Sequence, residues 1–199
     1  MKSKNKQSGF SLLQVMTAII VIAILTVSVI RLYQQAAKDA GAKALIDDIR
    51  MIFSHARALK GVEYTSALGE VIRARGLLPD DWEPHPTNGD SWSLTRWGAA
   101  SVGGTGGWFG ENPTGFTSTS GIHQFYADVP LDICFQVVNT LQAEVDYISY
   151  GASNSGKDGP IGIIKSYDTP YSRTDAQDIC DSRSSNGAVA PALRIAIFK

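Results

Sequence analysis

The sequence predicts an α+β protein: a long N-terminal helical spine, transmembrane in its first half, packed on an antiparallel β-sheet head. Three observations carry that expectation. An uncharged apolar run fills Phe10–Ile30 behind Lys2, Lys4 and Lys6. No proline occurs before residue 79, and Gly41 is the sole glycine in Phe10–Lys60. The remainder breaks into short apolar runs separated by glycine, proline, asparagine and aspartate, the punctuation of turns between strands and short helices.

The N-terminal run comes first. A cleaved secretory signal has an apolar stretch of about 7–15 residues followed by a small-x-small cut site. Here the order is inverted: Gly9 precedes the run, and Arg31-Leu32-Tyr33-Gln34-Gln35 follows it with no Ala-x-Ala site. The 21 residues Phe10–Ile30 suffice to cross a hydrocarbon core of about 30 Å as a helix. The three lysines assign the N-terminus to the cytoplasmic side and the rest of the chain to the opposite side. On these residues alone, a plain signal anchor is the simplest reading.

Beyond the run, Leu45, Ile49, Ile52, Phe53, Ala56 and Leu59 recur at spacings of three and four, an amphipathic helix stripe. Asp47, Asp48, Arg50, Arg57 and Lys60 are expected on the opposite, solvated face. One helix from Phe10 to Lys60 follows, with Gly41 as a weak point where its two halves meet.

In the head, a helix over Thr65–Arg75 is expected to end at Gly76 and Pro79. A glycine-rich region, Pro84–Gly121, should hold one or two short strands. Within it "SWSLTRWG" (91–98) alternates Trp92, Leu94 and Arg96 against Ser91, Ser93, Thr95 and Trp97 and reads as one half-buried strand. Exposed tryptophans there would serve subunit contacts or glycan stacking. A strand over Ile122–Ala127 leads to a helix over Leu131–Leu141 that starts behind Pro130. Strands over Val145–Ser149, "IGIIKSY" (161–167) and Leu193–Phe198 complete an antiparallel sheet, the second preceded by a loop over Gly151–Gly159.

The composition is that of an ordinary globular chain: 199 residues, 44% hydrophobic, 19% charged, net charge −1. Nothing in it points to nucleic acid, which asks for a basic patch. His55, His85 and His123 are far apart, with no ligand pair at metal spacing. "GGTGGWFG" (103–110) lacks the Gly-Lys-Ser/Thr ending of a phosphate loop and reads as a surface loop. Asp128, Asp132, Glu144 and Asp146 form no pair readable from sequence. The expectation is no enzyme, no cofactor and no metal. Cys134 and Cys180 are not Cys-x-x-Cys. In an exported domain their default is one disulfide, closing a loop of about 46 residues.

"SGFSLLQVMTAIIVIAIL" resembles the prepilin motif of type IV pilins and pseudopilins: a short basic leader, glycine, an aromatic or apolar first mature residue, then an apolar helix. The likeness covers the first 60 residues. More loosely, the remainder is similar to type IVb and conjugative thin-pilus pilins. "LGEVIRARGLLPDDW" (68–82) resembles their second helix, "DVPLDICFQVVNTL" (128–141) the helix with the first cysteine, and "DICDSRSSNGAVAPALRIAIF" (178–198) the second cysteine before a final strand. The resemblance implies a type IV pilin-like roll divided into a leader (1–9), a transmembrane and fibre-core half-helix (10–30), an amphipathic half-helix (31–60) and a globular head (61–199).

It further implies cleavage between Gly9 and Phe10 by a prepilin peptidase, which also N-methylates Phe10. Loss of the three leader lysines takes the formal charge from −1 to −4 and frees an apolar helix to leave lipid for a fibre core, where helices replace lipid. The implied partners are further copies in a helical pilus, the peptidase, the assembly machinery of the bacterial inner membrane, and the membrane itself before assembly. The implied location is the inner membrane with a periplasmic head, then an extracellular pilus for attachment, aggregation or conjugative contact. One position departs from the pattern. The family usually has glutamate at the fifth mature residue, where its carboxylate meets the N-terminal amine of a neighbour. Here that assembly position is Gln14, which accepts a hydrogen bond but cannot neutralise an ammonium. A minor pilin or type II secretion pseudopilin is therefore the alternative within the class, and a signal-anchored periplasmic binding domain the alternative outside it.

Overall fold

A computed structural model of the chain describes residues 12–59, 68–86, 89–104, 121–152, 162–166, 168–182 and 191–198. They divide between two units, Met1–Ala40 and Gly41–Lys199. Helix α1 (Leu12–Ala58) contributes to both. Its chemistry explains its length: no proline interrupts it, and its hydroxyls are turned inward. Thr17 Oγ1 donates to the Gln14 carbonyl at 3.0 Å, Thr26 Oγ1 to Ile22 at 2.8 Å and Ser28 Oγ to Ile24 at 2.9 Å. A hydroxyl satisfied by its own helix is tolerable on an apolar surface.

In the second unit α1 is followed by α2 (Leu68–Ala74), β1 (Glu83–His85), β2 (Gly89–Thr95), β3 (Gly98–Gly104), β4 (Gly121–Tyr126), α3 (Leu131–Leu141), β5 (Tyr147–Ala152), β6 (Gly162–Lys165), α4 (Arg173–Ser182) and β7 (Pro191–Phe198). Among the described residues the strands form one antiparallel sheet in the order β1-β2-β3-β4-β7-β5-β6. This is the expected helix-plus-antiparallel-sheet class. The final strand inserts between β4 and β5, so the sheet is complete only when the C-terminus is in place.

One face of the sheet packs on the helices. Leu45, Ile49 and Ile52 of α1, Ile122 and Tyr126 of β4, Leu193 and Ile195 of β7, and Val137 and Leu141 of α3 belong to one buried cluster. Each fully buried Leu or Ile is worth about 1.5–3 kcal/mol of transfer free energy. Two buried polar side chains fasten the layers. Gln124 Nε2 donates to the Ile49 carbonyl of α1 at 3.0 Å while its Oε1 accepts from Tyr126 OH at 2.6 Å. Tyr150 OH donates to the Val129 carbonyl at 2.9 Å. All six residues of β4 are buried, so the opposite face is covered too, with Phe125, Ala127 and Ala192 in a second small cluster.

Several expectations need correction. Asp48, expected on the solvated side of α1, is buried, 6% exposed. The segment 91–98 is not one strand: β2 stops at Thr95, and Arg96–Trp97 turn the chain into β3. Thr95 Oγ1 donates to the Gly98 carbonyl and accepts from Trp97 N–H, and Gly98 sits at φ +73°, a conformation glycine adopts freely. Of the two alternating sets, Ser93 and Trp97 are buried and Leu94 is exposed. Ser93 Oγ accepts from Arg73 Nη2 of α2 at 2.6 Å, so this side of the strand is occupied by a helix. Trp97 is buried and offers no ring for external stacking. The strand expected from Val145 begins at Tyr147; Val145 instead follows the end of α3, its carbonyl capped by Lys165 Nζ. The segment carrying Cys180 is a helix, α4.

The second helix ends as expected. Gly76 lies at φ +65°, with Gly76 N–H donating to Arg73 and Leu77 N–H to Ile72, the paired bonds of a Schellman stop. Residues 65–67, at its expected start, and 105–110 of the glycine-rich run lie outside the described residues.

Candidate assembly surfaces

Position by position, the residues singled out from sequence fall into three groups. Gly9 and Phe10 lie outside the described residues. Gln14 is an exposed residue in the first turn of α1. Cys134 on α3 and Cys180 on α4 form a disulfide, their Cα atoms 5.9 Å apart. It pins α4 to α3, and α4 needs the pin: among residues 173–181 only Ala176 and Cys180 are buried and Ile179 half-buried.

In the first unit, every residue of α1 up to Gln35 and beyond to Asp39 is exposed. The helix is long and apolar enough to cross a membrane by length and composition. Leu12, Leu13, Ile19, Ile22, Val29 and Leu32 all lie bare. Such a surface is unstable in water and calls for lipid or for other helices.

In the second unit, the exposed stripe of α1 runs through Lys43, Asp47, Arg50, Ser54 and Arg57. A groove of about 220 Å³ opens beside it. Phe53, Leu141 and Val145 line its apolar side, and Arg50, Arg57 and Glu144 its polar side. Arg50 binds Glu144 through two donors, Nε to Oε2 at 2.9 Å and Nη2 to Oε1. That contact holds the Glu144 carboxyl below the usual carboxylate range and raises the guanidinium.

Three further polar groups were not singled out as sites. Asp48 lies under Arg96, whose Nη2 is 4.0 Å from Asp48 Oδ2 and 2.9 Å from Asp81 Oδ2. Burial pushes the Asp48 carboxyl upward, partly offset by Arg96. Arg194 is buried on the other sheet face, its guanidinium 5.5 Å from the Phe125 ring centre, and burial lowers its pKa. In β7 it alternates with Leu193 and Ile195, which belong to the main buried cluster. His55 Nδ1 donates to the Leu77 carbonyl at 2.7 Å and is a structural histidine. Among the described residues no three His, Cys, Asp or Glu side chains gather to hold a metal ion.

No family model matches the sequence, and no curated protein does. Solved structures do. A crystal structure of a type IVb pilin from Salmonella typhi superposes with a TM-score of 0.51 at 14% identity, over 77% of this chain and 97% of that one. An NMR structure of a type IVb pilin from the same organism covers 78% and 96% at 12% identity with a TM-score of 0.44. The fold is that of a type IV pilin. Within the pilin fold, the bare apolar turns of α1 belong to the first unit, and the basic groove and the disulfide to the second.

Proposed function

We propose that the chain is the precursor of a structural subunit of a type IVb-like pilus. The observation that carries this reading is the union, in one chain, of a pilin-fold head with a helix whose first 28 residues, 12–39, are all exposed and mostly apolar. A helix of that kind has two stable environments, a bilayer and a bundle of its own kind. Supporting it from the sequence are the three leader lysines and Gly9 before Phe10. On this reading a prepilin peptidase of the inner membrane removes residues 1–9 and methylates the Phe10 amine. The head stays periplasmic until the assembly machinery lifts the subunit into an extracellular fibre. The fibre serves attachment, aggregation or conjugative contact.

Gln14 favours a second reading within the class, a minor pilin or secretion pseudopilin, because a subunit present in few copies needs fewer amines neutralised in the fibre core. Cell fractionation tests the proposal. The expected result is a chain shortened by nine residues, beginning with methylated phenylalanine, in sheared extracellular fibres. A full-length chain confined to membranes would overturn it and leave a signal-anchored periplasmic binding domain.

A further inference from the structure

The groove beside α1 has a counterpart elsewhere on the same head. On α4, Asp175, Asp178 and Asp181 are exposed and spaced by three, so they share one face of the helix. Asp175 has a local reason to be acidic: it lies in the first turn, where its N–H donates to the capping Ser172 Oγ at 3.3 Å and the helix dipole favours negative charge. Asp178 and Asp181 do not. They lie toward the C-terminal end, where the dipole opposes a carboxylate, and the last turn holds no basic residue. Among the described residues none of the three forms an ion pair. The ridge is solvent-exposed, which leaves its carboxylates accessible to a basic surface outside the helix.

On α1 the exposed stripe is mostly basic, with Asp47 the one acidic residue among Lys43, Arg50 and Arg57. Lys43, Arg50 and Arg57 are exposed and seven residues apart, so they fall near one face, about 10.5 Å between successive members. Arg50 is engaged by Glu144, whereas Arg57 forms no ion pair among the described residues. Asp175 and Asp181 are about 9 Å apart along their helix, close to the Arg50–Arg57 interval. Beside the two arginines the groove is floored by Phe53, Leu141 and Val145, which belong to the buried core.

We propose that the groove is the seat of α4 from a second copy of this chain: the Asp175–Asp178–Asp181 ridge of one head lies along the Lys43–Arg50–Arg57 stripe of the next, with Arg57 against Asp178. Two different patches on one chain make a heterologous contact. Such a contact propagates as an open filament unless its rotation happens to close. This inference rests on the pilus-subunit reading and names the head surfaces that mate.

Charge exchange tests it, with sheared-fibre yield compared at equal membrane content of prepilin. Arg57→Glu and Asp178→Arg should each lower the yield about tenfold, the effect of about 1.4 kcal/mol per contact. The double variant Arg57→Glu/Asp178→Arg should recover most of it, which a merely structural defect would not. In a separate arm, zero-length carbodiimide coupling of Arg57→Lys fibres should join the introduced lysine to the α4 peptide of an adjacent subunit and give a ladder of oligomers. Full yield from both single variants, a double variant no better than the worse single, or fibres that couple without a residue 57 to α4 link would overturn the pairing while leaving the pilus reading intact. Absence of the wild-type chain from sheared fibres would overturn both.

Discussion

Arg50 of α1 and Glu144, just beyond the end of α3, form a two-donor ion pair across 94 residues of sequence. It stitches the spine helix to the head at the edge of the basic groove. Both side chains are almost half exposed, 45% and 44%, so water screens the pair and its worth is about 0.2–1 kcal/mol. The Glu144 carboxyl titrates below its ordinary value because Arg50 donates to it. A depressed folded-state pKa contributes stability above the unfolded pKa, and that stability is lost as pH falls through the folded one. Glu144→Gln should therefore lower the thermal midpoint of the detergent-solubilised chain slightly at pH 7. The difference should vanish in acid and shrink in high salt.

Asp48 should behave in the opposite sense. Burial raises its folded pKa, so the folded chain takes up a proton more readily than the unfolded one, and this site gains stability as pH falls through the raised value. Asp48→Asn removes the buried charge while keeping the size of the side chain. The expected outcome is a higher melting midpoint than wild type at pH 7, with the two curves converging as pH is lowered. A variant less stable at every pH would show that Arg96 more than compensates the burial.

The Cys134–Cys180 disulfide restrains the head by closing a long loop. With a sequence separation of 46, the chain-entropy relation gives about 4 kcal/mol. Cys134→Ser or Cys180→Ser should cost about that much and first release α4, which buries few apolar side chains of its own. Hydrogen exchange resolved by peptide would show loss of protection at 173–182 before the central strands.

How much of this was legible in the sequence varies with how local the cause is. Helix α3 was readable to the residue because Pro130 starts it and Ile133, Cys134, Val137, Val138 and Leu141 mark its buried face. The stripe on α1 was readable for the same reason. Asp48 was misread because charge was given precedence over position: it lies three residues from Leu45 and four from Ile52, on the stripe itself. What makes it tolerable, Arg96 and the closed Trp97 turn, comes from another part of the chain. Helix α4 was missed because it is mostly polar and so carries little periodic signal, although Ser172 and Asp175 have the spacing of a capping box. The groove was not legible at all. It exists only because the end of α3 lies beside α1, a tertiary fact with no local signature.

The turn that broke the expected strand makes a sharp prediction. Gly98 lies at φ +73°, and a Cβ there would collide with the Asp128 side chain. Gly98→Ala incurs the cost of left-handed backbone, about 1–2 kcal/mol, in addition to displacing Asp128. Gly41→Ala makes the control, since its Cβ would meet only Trp97 Cη2, at 3.5 Å, and alanine favours helix by about 1 kcal/mol. Urea titration should place the midpoint of the first variant below wild type and that of the second at or above it.

Position 14 puts the fibre reading at greatest risk. If Phe10 becomes the first residue of the mature chain, its amine is carried into a helical core with almost no polar groups near it. An unpaired ammonium there is costly. Gln14, one turn along α1, presents an amide dipole where a carboxylate would cancel the charge. Gln14→Glu is expected to restore that pairing and raise incorporation into sheared fibres; a gain of about 1 kcal/mol per subunit corresponds to roughly fivefold. Quantitative blotting at equal prepilin expression measures it, and the rise should require an unblocked leader site, so Gly9→Arg/Gln14→Glu should show none. If Gln14→Glu lowers incorporation instead, the fibre environment at residue 14 is built for a neutral side chain. The amine must then be neutralised by another group, and the glutamine is a requirement of this subunit rather than a deficit.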